Sequence, residues 1–324
     1  MEVDKRCRWV GGALGEKEEH WVIEIGILVV VGLVLCRWGV NPERVTLASQ
    51  REHAPESFVS LSRGVVCYDL VGESTAPLVV LVHGFGTPSG IFVDTASVLA
   101  DAGYQVLRFD LYGRGMSERL ETHYRLDDFE EQLDELLRVL ELPAKFHLLG
   151  LSMGGTVAAS YASRNPERLN KLILMAPLVT SMEIGNLKYK MFTKLFLPVL
   201  SRVFPGRQVR GVINPARHRE LYAMIQRQMT IRGTAKSLVS IARSIAACDH
   251  QALFRRVGEL HIPTLIVWGR EDPVVPFENH ALACELTGGH LVEIPDAGHL
   301  AHYEQPEQVH GHCLDFLRED LHAT

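Results

Sequence analysis

A chain of 324 residues, 47% of them hydrophobic and 22% charged, has room for one large α/β domain with an insertion or for two small domains. Its 33 basic and 39 acidic residues give a formal charge of −6 with no long basic run, which sets nucleic acid aside as a partner. The six cysteines (Cys7, Cys36, Cys67, Cys248, Cys284 and Cys313) lie far apart without a C-x-x-C pair, so they fit neither a zinc site nor a dense disulfide framework and read as free thiols.

After a tail over residues 1–20, residues 21–40 are apolar except for Glu24 and Arg37 near the two ends. As a helix, such a segment spans roughly 30 Å, the thickness of a bilayer's hydrocarbon core. Trp21 and Trp38 stand where interfacial aromatics belong. Glu16, Glu18 and Glu19 precede the run where a signal peptide would be basic, and no small-x-small cleavage site follows it. The expectation is a retained single-pass membrane anchor, with a buried strand or helix of the domain as the alternative. Lys17 and Arg8 on one side are matched by Arg37 and Arg44 on the other, which leaves orientation and organelle open. Residues 41–57, polar and containing Pro42 and Pro55, read as a linker.

Two β-prone runs, 58–62 and 65–71, flank Arg63-Gly64 as a hairpin. The uninterrupted apolar run 78–82 has the character of a strand buried on both faces, and it ends in His83-Gly84-Phe85-Gly86. A helical stretch (91–101), a strand (105–109) ending at Asp110, a glycine-rich loop to Ser117, a helix (127–140) and a strand (146–151) follow in turn. Runs 171–175 and 264–268 repeat the strand pattern, and 290–294 is a shorter one. Strands alternating with helices predict a mostly parallel, doubly wound sheet.

At the fifth of these strands the chain reads Gly150-Leu151-Ser152-Met153-Gly154-Gly155 and passes straight into a helical run. A G-x-S-x-G turn holds its serine in a strained bend with the hydroxyl clear of the sheet, and the glycines relieve the crowding. So loose a pattern is weak alone; its position between strand and helix gives it weight. Between Ala176 and Pro263 the strand rhythm stops, and helical, basic-apolar segments 187–204, 215–229 and 234–248 take over. Residues 179–258 are therefore expected to form a helical lid between two parts of a core, 58–178 and 259–324.

His83-Gly84-Phe85-Gly86, Asp110-x-x-Gly-x-Gly-x-Ser117, the Ser152 turn, Gly269-Arg270-Glu271-Asp272 and Ala297-Gly298-His299 together make the chain, from about residue 58 to about 321, resemble the α/β-hydrolase fold family. It is most similar there to membrane-anchored monoacylglycerol lipase and esterase members, and also resembles meta-cleavage-product hydrolases, which cut a carbon–carbon bond with the same triad. The family's chain order of Ser, acid, His implies Ser152 as nucleophile, Asp272 as acid and His299 as base. The N–H of Met153, at the helix start, is one candidate oxyanion donor, and the resemblance implies the N–H of Phe85 as the other. Rival acids and bases are Glu271, Asp296 and His302, while His83 and Asp110 read as fold residues.

The expected function is a serine hydrolase of carboxylic esters, of the monoacylglycerol lipase or lysophospholipid esterase kind. Carbon–carbon or amide hydrolysis by the same triad is the alternative, and a catalytically silent binding protein is the alternative of another class. No metal or organic cofactor is implied. The expected partners are a small acyl ester or lipid and, through the amino-terminal segment, a membrane; oligomeric state is unreadable.

Overall fold

The computed structural model describes residues 43–52, 54–181, 184 and 190–319. A short helix, α1 (Leu47–Arg51), precedes a sheet of strands β1 (Ser57–Leu61), β2 (Gly64–Val71), β3 (Leu78–Val82), β4 (Gln105–Phe109), β5 (Phe146–Leu151), β6 (Leu169–Met175), β7 (Thr264–Gly269) and β8 (His290–Ile294). They lie side by side in the order β1-β2-β4-β3-β5-β6-β7-β8. The β1–β2 and β2–β4 pairs are antiparallel, and every pairing from β4 to β8 is parallel.

Every residue of β3, β4, β5 and β7 is buried, which is why β3 reads as an unbroken apolar run, while β4 and β5 bury Gln105, Arg108 and His147 among their apolar residues. Alternate side chains serve two separate cores. Leu78, Val80 and Val82 point to one, with Leu148 and Trp268; Val79 and Leu81 point to the other, with Leu149 and Val267. The first core is closed by α3 (Leu126–Val139) and α4 (Met153–Arg164), the second by α2 (Val93–Asp101) and, at the end of the chain, α11 (Pro306–Arg318). In α3, Phe129, Leu133, Leu136 and Leu137 recur at helical spacing and are all buried. Lys171 of β6 sends its ammonium to the carbonyls of Phe316 and Glu319, closing the last turn of α11.

Between β6 and β7 stand α5 (Lys190–Gln208), α6 (Pro215–Met229), α7 (Thr234–Ala246) and α8 (His250–Glu259). Helices α5, α6 and α7 pack on one another. By contrast α8 packs against α4 and α9 (Asn279–Thr287), its Phe254 and Val257 lying in the core beneath the sheet. The remaining helix, α10 (Ala301–Glu304), follows the turn that bears His299.

Two expectations about the amino terminus change. The stretch read as a linker is tied down over its described part: Val45 bridges Ile231 in parallel, and the Glu43 carboxylate accepts from the N–H groups of Gly233 (3.0 Å) and Ala235 (2.7 Å), capping α7 where Gly233 has no side chain to do so. Arg51 donates to the Met116 carbonyl at 2.9 Å. The single-pass membrane localisation does not stand. Its segment, residues 21–40, lies outside the described residues, and among the described residues no helix is long and apolar enough to cross a membrane.

Candidate active site

Ser152 sits between β5 and α4 with φ 54° and ψ −117°, a left-handed conformation that costs a non-glycine residue about 1–3 kcal/mol. The surrounding backbone holds it there: its N–H donates to the Met175 carbonyl at 2.8 Å, and its carbonyl accepts from Gly155 N–H at 2.9 Å. The flanking glycines are required by close passage rather than by turn geometry. A Cβ at Gly150 would stand 2.4 Å from the Gly154 carbonyl oxygen, and one at Gly154 would stand 2.2 Å from that of Val82.

Met153 opens α4, so its N–H has no acceptor inside the helix. The N–H of Phe85 is aimed from behind. His83 is fully buried; its Nε2 accepts from Leu111 N–H (3.0 Å), so Nδ1 carries the proton and donates to the Gly84 carbonyl (2.8 Å). Because the C=O and N–H of one trans peptide point opposite ways, gripping the Gly84 oxygen also fixes the direction of the Phe85 N–H. Burial pushes the His83 imidazole down to about 4 and keeps it neutral for this task. The next peptide is held too: Arg114 Nε donates to the Phe85 carbonyl at 2.7 Å, and its guanidinium lies 5.2 Å from the centre of the Phe85 ring.

Asp272 follows β7 and is buried. Its Oδ1 accepts from Val274 N–H (2.8 Å) and Val275 N–H (3.0 Å), leaving Oδ2 for His299 Nδ1 at 2.7 Å. With Nδ1–H donating to the carboxylate, the lone pair of His299 is on Nε2. Ser152, His299 and Phe85 line one cavity of about 420 Å³. Its walls are mostly apolar, with Leu151, Leu178, Leu221, Ile225 and Val275 among them; the polar positions include Thr87, Gln208 and Asn279. Among the described lining residues none is Asp, Glu, Lys or Arg.

The rivals stand apart from this bond. Glu271 accepts from Ala297 N–H at 3.1 Å, and Asp296 is exposed, only its main-chain carbonyl accepting from Gln305 Nε2 at 3.0 Å. His302 is buried against the Phe92 ring, centroids 4.9 Å apart; burial first, then His310 and His299, push it down to about 3. The Asp110 carboxylate accepts from Ser89 N–H and Met116 N–H, both at 2.8 Å, and so pins its own loop. Sequence reasoning gave no role to Arg114, to Glu304 or to Thr87, whose buried hydroxyl has no partner among the described residues. None of the three has a local pattern that marks it. Among the described residues no group of three or more His, Cys, Asp or Glu side chains could hold a metal ion.

Comparison with known proteins adds a lineage to this geometry. The model of the family described as serine aminopeptidase S33 (Hydrolase_4) matches residues 73–306. The chain is 31% identical over 268 residues to the dihydrolipoyllysine-residue acetyltransferase component of the acetoin cleaving system of Pseudomonas putida, across 82% of this chain and 70% of that protein. It is 30% identical over 259 residues to the 2-hydroxy-6-oxononadienedioate/2-hydroxy-6-oxononatrienedioate hydrolase of Escherichia coli, across 74% of this chain and 86% of that one. Among solved structures it is similar to a thermophilic esterase from Thermogutta terrifontis, with a TM-score of 0.69 and 26% identity, covering 82% of this chain and 99% of the esterase.

Proposed function

The chain belongs to the serine aminopeptidase S33 family of α/β-hydrolases, and from that premise we propose that it hydrolyses neutral carboxylic esters through an acyl-enzyme on Ser152. The observation that carries this reading is the 2.7 Å bond from His299 Nδ1 to Asp272 Oδ2 in a cavity that His299 shares with Ser152. As Ser152 Oγ attacks the ester carbonyl carbon, its proton passes to His299 Nε2, and Asp272 stays ionised, holding the tautomer and facing the imidazolium that forms. The oxyanion accepts from Phe85 N–H and Met153 N–H, where one such donor is worth about 10²–10³ in kcat. His299 then gives its proton to the departing alcohol oxygen, and water repeats the sequence on the acyl-enzyme.

The lining is uncharged among the described residues, which favours a neutral substrate over a dioate, whose carboxylates would meet no cation from those residues at a cost of several kcal/mol per ion. The apolar walls suit an acyl chain, so a monoacylglycerol fits this reading better than a lysophospholipid with its charged headgroup. The membrane-borne form of the lipase reading rested on the anchor and is not carried forward.

A fluorophosphonate probe should label the wild type and not Ser152→Ala; labelling that survives the substitution removes the nucleophile assignment. On monoacylglycerols kcat/KM should rise with acyl length by up to roughly fourfold per CH₂, since each buried CH₂ is worth about 0.8 kcal/mol. A flat series would point to a small ester in place of a monoacylglycerol, and faster turnover of a 2-hydroxy-6-oxo-dienoate would replace ester hydrolysis with carbon–carbon bond hydrolysis.

A further inference from the structure

The cap is bonded directly to the turn that carries His299. The His299 N–H donates to the carbonyl of Gly211 at 2.7 Å, and Gly211 ends the single turn Val209–Gly211 that links α5 to α6. Gly298 makes this approach possible: a Cβ there would stand 2.5 Å from the Gly211 oxygen. Gly211 in turn has no room to spare, since a Cβ on it would lie 3.4 Å from Cβ of His299 and 2.9 Å from a Val274 methyl carbon. The glycine before the histidine is thus required by a piece of the cap and not only by the bend of its own loop.

Glu304 closes the connection. It is 5% exposed; Oε1 accepts from Gly298 N–H at 2.9 Å, and Oε2 accepts from Ile213 N–H at 2.7 Å and Asn214 N–H at 2.9 Å. One buried carboxylate therefore satisfies an amide of the histidine turn and two amides of the cap, through charge-assisted bonds. Beside it Tyr303 Oη donates to Glu220 of α6 at 2.9 Å. Moving residues 211–214 would strip Glu304 of two donors and His299 N–H of its acceptor at once, with buried polar groups left unpaired on both sides.

The geometry points to Glu304 as a positioning residue that makes His299 competent only while the cap is docked. This rests on His299 acting as the base for Ser152. None of residues 211–214 lines the cavity, so the connection acts on the histidine and not on bound substrate. When residues 211–214 are seated, the histidine turn is held at Gly211 and at Glu304; when they leave, the turn is released and the serine loses its base. The cap thereby gates the chemistry itself.

Glu304→Gln keeps the volume but sets an amide NH₂ against one of the N–H groups, severing one side of the bridge. On p-nitrophenyl acetate it should lower kcat about tenfold or more with KM within about twofold, and slow fluorophosphonate labelling of Ser152 in parallel. Asn214→Pro tests the cap side alone, because it removes one donor at φ −78°, a value proline accepts. Asn214→Ala is its control, losing the side-chain cap of α6 but keeping the N–H. Asn214→Pro should fall about tenfold below Asn214→Ala in kcat and labelling rate, which no loss of the helix cap explains. Equal rates for those two folded variants would overturn the proposal, as would wild-type rates in folded Glu304→Gln; if Glu304→Gln does not fold, the Asn214 pair decides. Loss of the catalytic reading itself would look different, with activity surviving in Ser152→Ala or His299→Ala.

Discussion

At the scale of single residues, the carboxylate of Asp272 divides its two oxygens: one takes the N–H groups of its own turn, the other takes His299. Asp272→Asn should therefore leave the fold intact and lower kcat by about 10⁴, because an amide holds the wrong tautomer. Glu271→Gln, which disturbs only a bond to Ala297 N–H, should cost far less, and the reverse ranking in steady-state kinetics would show that the acid is Glu271. Ser152, Asp272 and His299 were legible because each follows a strand end within a short glycine- or proline-marked turn. His83 was legible as a fold residue, but what it aims was not, since its partners are main-chain atoms of two different loops. Glu304 was invisible for the same reason: Ile213 and Asn214 offer it backbone amides, which leave no trace in side-chain identity.

At the scale of elements, strands β3, β4, β5 and β8 begin and end at the bounds read from the sequence, and in β3 the sheet between two helical layers leaves no exposed face to dilute the apolar run. The helices were less readable. The period of α8 says that Phe254 and Val257 are buried but not against which core, so its place beneath the sheet was not legible in the sequence. The segment before the sheet was misread as a linker because its anchoring is long-range, through Glu43 to the start of α7 and through Val45 to Ile231. Glu43→Ala should cost about 0.5–2 kcal/mol, the range of a lost helix cap, seen as a lower midpoint in urea with the slope unchanged. A midpoint equal to the wild type's would mean that solvent replaces the carboxylate without loss.

For the whole molecule, burial holds several imidazoles neutral. His83 and His147 are pushed from 6.5 down to about 4, and His302 to about 3. In the unfolded chain these groups take up protons near 6.5, whereas in the folded chain they do not until near 4, so the unfolded state binds more protons throughout that window. Stability should be full above about pH 6.5 and fall as the pH drops towards 4, by as much as about 3 kcal/mol from His83 alone. Denaturant melts at pH 7.5 and pH 5 test this, and His302→Met should flatten the dependence; equal melts at the two pH values would contradict it.

The pairing of β6 with β7, Met175 beside Val267, means that the chain leaves the sheet after Met175 and re-enters it at the neighbouring strand from Thr264. The entropy of closing such an excursion grows only with the logarithm of its length, about 0.6 kcal/mol per doubling. Loop closure therefore sets little limit on how much chain hangs between β6 and α8, and descent could lengthen, shorten or exchange that part of the excursion while α8, whose Phe254 and Val257 fill the core beneath the sheet, stays. One constraint on exchange bears directly on the histidine turn: any replacement must present a carbonyl to His299 N–H and amides to Glu304 where residues 211–214 now do.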